Sequence, residues 1–117
     1  MPTIQTLGHS SRRTTFSYTG DITQGVTIDF KNGTAKVSRG FFAAILQAFR
    51  GETIRGGFDM VSPPPGGLGK WVLDNSEQMN TMKLTPRHAS FIAAILEQET
   101  EVISVLDGNA VYLTFPR

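Results

Sequence analysis

The chain has 117 residues, is 39% hydrophobic and 18% charged, and sets 11 Lys and Arg against 10 Asp and Glu for a formal net charge of +1. That length supports one domain with one modest core, and the composition is that of a folded chain. A near-neutral balance gives no global field toward nucleic acid or membrane, and the lack of cysteine excludes disulfides and thiolate metal sites.

Residues 1–13 read as a polar, mobile arm and residues 14–117 as a single α+β domain. The arm has no apolar run of the secretory type. No segment approaches the roughly 18 apolar residues of a membrane helix, so a cytoplasmic protein is expected. Across residues 14–38 the pattern has period two: Phe16 and Tyr18 alternate with polar residues, as do Val26, Ile28 and Phe30. Gly20-Asp21 and Asn32-Gly33 are turn pairs, because tight hairpins need residues that tolerate positive φ. Two or three antiparallel strands are expected there.

Ser38 then caps a helix that ends near Gly51, with Phe41, Phe42, Ile45, Leu46 and Phe49 at helical spacing. Residues 52–61 read as a strand weakened by Gly56-Gly57. Residues 62–69, SPPPGGLG, are the clearest loop. Leu68, Trp71, Val72, Asn75 and Met79 share one helical face, which favours a helix over a short strand at residues 71–73. The last helix has Thr85 as cap, Pro86 at its first position and Phe91, Ile92, Ile95 and Leu96 as its inner face. Residues 102–115 form a hairpin that turns at Asp107-Gly108-Asn109, with Val111, Leu113 and Phe115 alternating.

These elements sum to an α+β domain, an antiparallel sheet with two or three helices packed on one face. FFAAIL at residues 41–46 returns as FIAAIL at residues 91–96. The echo suits an internal duplication. It equally suits two helices whose small Ala43-Ala44 and Ala93-Ala94 let them lie close to a sheet. From Arg39 onward the order is helix, strand, helix, helix, hairpin. It resembles a winged-helix domain, here preceded by a β-hairpin, with the last helix as recognition helix and residues 107–109 as wing tip. The resemblance is one of element order and implies DNA binding only by analogy. Against DNA stand Glu97, Glu99 and Glu101, and a wing without Lys or Arg before Arg117.

A helix N-terminus carries roughly half a positive charge, so acidic residues belong there. This chain instead places Arg39 after Ser38, and Arg87 with His88 after Thr85-Pro86. A bound anion would make that placement favourable: first-turn N–H groups, the Thr85 and Ser90 hydroxyls and the Arg87 guanidinium would face one phosphate or carboxylate. The plainer reading pairs Arg87 with a surface acid such as Asp74 or Glu77. Lys31, Lys36 and the basic arm would add phosphate contacts or simply be solvated. Trp71, beside the glycine-rich loop, offers a stacking surface for a flat ring, and Asn80 a base-edge reader. The structural alternatives are a core tryptophan and a helix-ending asparagine.

Catalysis has little to rest on. Asp59, Asp74, Asp107 and His88 have no partner at catalytic spacing, and His9 and His88 lack metal-ligand spacing. No catalytic residue, metal or cofactor is therefore expected, and the chain is expected not to be an enzyme. The expectation is a non-catalytic module that binds or sequesters an anionic, nucleotide-like ligand through Arg87, His88, Thr85, Ser90, Trp71 and Asn80. Such a chain suits an accessory protein of a phage or mobile element. A winged-helix DNA-binding regulator is the alternative. Exposed strand edges add the expectation of a homodimer or higher homo-oligomer.

Overall fold

The structure, a computed structural model, describes residues 3–5, 15–30, 33–56, 66–79, 84, 88–99, 101–107 and 110–116. In chain order these form β1 (Thr3–Gln5), β2 (Thr15–Asp21), β3 (Gly25–Phe30), β4 (Gly33–Val37), α1 (Arg39–Ala48), β5 (Thr53–Arg55), α2 (Leu68–Met79), α3 (His88–Gln98), β6 (Ile103–Asp107) and β7 (Ala110–Thr114). The class is α+β, as the periodicities predict. The strands, however, divide into two antiparallel sheets rather than one, ordered β1-β2-β3-β4 and β5-β7-β6. The division has a local cause. β4 runs straight into the capped start of α1, which ends the first meander. The far end of α1 is then tied to the end of β7, because Gly51 N–H donates to the Phe115 carbonyl and Phe115 N–H to the Glu52 carbonyl. β5 therefore pairs with β7, Ile54 opposite Leu113.

In the first sheet the period-two pattern puts Phe16, Tyr18, Val26, Ile28, Ala35 and Val37 on the buried face. Tyr18 stands opposite Ile28, and Ile28 opposite Ala35. The β2–β3 turn is held by Asp21, whose Oδ1 accepts from Thr23 N–H at 2.9 Å, Thr23 Oγ1 at 2.6 Å and Gln24 N–H at 3.0 Å. Gly20, at φ +91°, must be glycine: a Cβ there would stand 2.2 Å from the Gly25 carbonyl oxygen. The β3–β4 hairpin closes at Phe30 opposite Gly33, so Gly33 begins β4 and lies outside the turn. β1 falls inside the segment read as an arm and pairs with β2, Ile4 opposite Phe16.

Ser38 caps α1 as expected, its Oγ accepting from Phe41 N–H at 3.2 Å. Phe41, Phe42, Ile45 and Phe49 are buried, and Ala43 is exposed. α2 is a helix, with Leu68 and Val72 fully buried. Its buried Ser76 clamps a distant backbone, donating from Oγ to the Leu84 carbonyl at 3.1 Å and accepting from Leu84 N–H at 2.8 Å. α3 differs most from a one-sided amphipathic helix. Ala89 and every residue from Phe91 to Leu96 are buried. The small Ala93 and Ala94 leave room for neighbours on both sides. Phe91 meets Phe16 and Phe30 of the first sheet, and Glu97 accepts a hydrogen bond from Ser104 of β6. Both sheets and all three helices thus share one core.

Candidate functional site

Of the six residues singled out by sequence, the structure describes His88, Ser90 and Trp71; Asn80, Thr85 and Arg87 lie outside the described residues. His88 and Ser90 are half-buried in the first turn of α3, two positions apart, so they point to different sides of the helix. His88 rests edge-on against Phe30, with ring centres 6.0 Å apart, and tilted against Phe91 at 6.3 Å. Trp71 belongs to a second aromatic cluster. It packs on Phe41 at 5.3 Å and Phe49 at 5.9 Å, and Phe49 in turn meets Phe115. Among the described residues no ring contact joins the two clusters. The Trp71 ring is half-buried and closes the gap between α1 and α2. Asp74, considered above as a partner of Arg87, pairs with Lys70 at 2.8 Å. Asn75 Nδ2 donates to the Trp71 carbonyl at 2.9 Å, one helical turn back.

The other basic helix start, that of α1, adjoins an open recess of about 270 Å³. Its floor is Val26 and Val37, and its polar lining comes from Gln24, Thr27, Lys36 and Ser38. Two local features shape it. Gly25, at φ +100°, packs on the backbone where β4 passes into α1: a Cβ there would meet the Val37 oxygen at 3.4 Å and Arg39 N at 3.5 Å. Gly40, in the first turn of α1, has nothing within 4 Å of where a Cβ would stand. The first-turn backbone at Arg39 and Gly40 is therefore exposed, whereas the Phe41 N–H is engaged by the Ser38 side chain and carbonyl and the Phe42 N–H by the Ser38 carbonyl. Neither α1 nor α3 has an acidic residue in its first turn. The recess lies near Gly25 and His88 near Phe30, at opposite ends of β3. The strand rise puts them roughly 17 Å apart, so the two helix starts do not form one site.

In the sequence Lys36 reads only as a cation near the basic arm, and nothing there marks Gln24 or Thr27. The signal that pointed here was the Ser38-Arg39 pair. What joins it to Gln24 and Thr27 is the antiparallel register of β3 and β4, with Val26 opposite Val37 and Thr27 opposite Lys36.

Two ionisable groups depart from their ordinary behaviour. Hydrogen bonds from Thr23 and Gln24 hold the Asp21 carboxyl below its ordinary 3.8, the Thr23 hydroxyl contributing most. Tyr18 is buried, and its phenol is raised above 10.0 first by desolvation and then by the charge of Glu99, to which it hydrogen-bonds. The unfolded chain therefore gives up this proton first. The stability contributed by protonated Tyr18 is complete below pH 10 and is lost as pH rises through the higher folded value. Urea midpoints should fall as pH rises past 10.0, and Tyr18→Phe should flatten part of that fall. An alkaline limb identical in both proteins would show that Tyr18 ionises as freely folded as unfolded.

Among the described residues no three His, Asp or Glu side chains gather as metal ligands, and no helix is long and apolar enough to cross a membrane. The chain matches no family model, no curated protein and no solved structure.

Proposed function

We propose that the chain is a non-catalytic binding module for a small anionic ligand of the nucleotide or phosphate class. The observation that supports this reading is the recess at the start of α1. Its volume of about 270 Å³ lies just below the range of small-molecule clefts and is of the size to take a phosphate group. Lys36 contributes the cation, Ser38 a hydroxyl, and the exposed turn at Arg39-Gly40 the N–H groups of a helix N-terminus. The start of α3, with Arg87, His88, Thr85 and Ser90, is the second place where the same chemistry would serve. A ligand that binds only the native state stabilises it by RT ln(1 + [L]/Kd), so tenfold excess over Kd adds about 1.4 kcal/mol, which is a few degrees in Tm for a domain of this size. Wild type should show such a shift with inorganic phosphate or with mono-, di- or cyclic nucleotides. Lys36→Gln should abolish it, and Arg87→Glu should leave it intact. Loss through Arg87→Glu alone would move the site to α3. No shift at millimolar concentration from any of these ligands would remove the proposal.

One observation favours the winged-helix regulator as a second reading. β5 closes on β7, and the β6–β7 hairpin forms the outer edge of that sheet, in the position of a wing. The burial of α3 weighs against it. A recognition helix must present a face to the major groove, and here Phe16 and Phe30 of the first sheet pack on Phe91 of that helix. Duplex binding tighter than micromolar, falling steeply with salt, would favour this second reading over the first.

A further inference from the structure

Among the described residues each sheet has two edges, and three of the four are protected. β1 and β5 are three residues long. β4 presents Lys36, and a charged side chain on an edge strand discourages pairing with another chain. β6 is longer than β1 and β5, and its one charged residue, Asp107, stands at its last position. It is five residues long, Ile-Ser-Val-Leu-Asp, without Lys, Pro or Gly. The described residues with large exposed apolar side chains are also on β6: Ile103 is 69% exposed and Val105 55%. They are two positions apart and so share the outer face. On that face the rest of the sheet satisfies itself, with the Arg55 guanidinium over the Tyr112 ring at 5.5 Å and the Thr53 and Thr114 hydroxyls bonded at 3.0 Å. Ile103 and Val105 lie beyond these pairs, against the edge that no described strand covers.

Charge identifies the occupant. Residues 88–116 contain no Lys or Arg and four acids, Glu97, Glu99, Glu101 and Asp107, so the β6 edge is acidic at both ends. A second copy pairing antiparallel about Ser104 would match Ile103 with Val105 but would also set Glu101 opposite Asp107, twice. Like charges directly opposite each other destabilise a strand pair. A strand with Lys or Arg at those positions keeps the apolar match and turns the repulsion into attraction. We propose that β6 is a docking edge for an extended segment of another protein, apolar at alternate positions and flanked by basic residues, which adds to β5-β7-β6 as a fourth strand. Strand addition takes its affinity from main-chain hydrogen bonds and its selectivity from alternate side chains and the flanking charges.

The probe is a fluorophore-labelled peptide, Lys-Thr-Val-Thr-Val-Thr-Lys, titrated with the full chain, beside the same peptide with Glu at both ends. Anisotropy should rise with the Lys-ended peptide, and the Glu-ended one should bind at least about tenfold more weakly. Val105→Lys should weaken the Lys-ended peptide by a similar factor with an unchanged melt, since Val105 is exposed. Should that variant not fold, Glu101→Lys serves instead: it should lower affinity for the Lys-ended peptide and raise it for the Glu-ended one. Equal binding of both peptides, no binding of either, or indifference to these substitutions would overturn the proposal. So would a wild-type chain that sediments as a dimer and becomes a monomer with Val105→Lys, which would assign the edge to a second copy.

Discussion

Phe91→Ala should lower stability by about 3–5 kcal/mol, the largest effect expected of a single side-chain truncation in this chain. Phe91 is buried at the centre of an aromatic group, edge-on to Phe16 at 4.8 Å and stacked on Phe30 at 4.9 Å. It is thus the side chain through which α3 is held to two strands of the first sheet. Truncation removes the apolar area and leaves a cavity that two rigid rings cannot close. Against a total stability of roughly 5–15 kcal/mol, the variant would be marginal. Urea titration measures the loss. A change under about 1 kcal/mol would mean that the first sheet does not pack on α3 in this way.

Ser76→Ala should cost about 2–4 kcal/mol, far more than the removal of one hydroxyl suggests. The Ser76 oxygen serves both the N–H and the carbonyl of Leu84, in a place with no water access. Removing it strands two buried backbone groups at once, and each unsatisfied group costs about 1–3 kcal/mol. The measurement is the denaturant midpoint together with amide exchange at Leu84. The Leu84 amide should lose protection out of proportion to the rest of the core. Unchanged protection there would show that the clamp is not formed.

The local elements were legible because each is fixed by short-range physics. Phe16 and Tyr18, and Val26 and Ile28, alternate because a strand with one buried face must. Ser38 was recognisable as a cap because its side chain can reach the N–H three residues on. α2 was legible once its apolar positions were read at helical period, although Ser76 on the same face is polar and its role depends on Leu84, eight residues away. The echo of FFAAIL in FIAAIL proved a poorer guide. The same letters lie in a one-sided helix in α1, where Ala43 is exposed, and in an enclosed helix in α3, where Ala93 and Ala94 are buried. What encloses α3 is the first sheet at Phe91 and β6 at Glu97, and no pattern within residues 91–96 states that. The split into two sheets was hidden for the same reason, since it follows from Gly51, Glu52 and Phe115 meeting across more than sixty residues.

The candidate site was half legible. Basic residues at two helix starts are visible in sequence because they break a charge rule. Which start has space beside it depends on the β3–β4 register and on Gly25 packing against the β4–α1 junction, which are tertiary facts. Trp71 reads as a stacking surface because of its glycine-rich neighbours in sequence. Its position between Phe41 and Phe49 shows the packing role that the residue also fulfils.

The central claim is that a basic helix start in this chain holds an anion, and that the start is the one beside the recess. Backbone amide shifts during a titration of the full chain with inorganic phosphate test it most directly, because they report both binding and place. The account predicts saturable shifts centred on the amides of Arg39 and Gly40 and of the recess residues Thr27 and Lys36, with little change at His88 and Ser90. Shifts centred on His88 and Ser90, or no saturable shift at any amide, would contradict it.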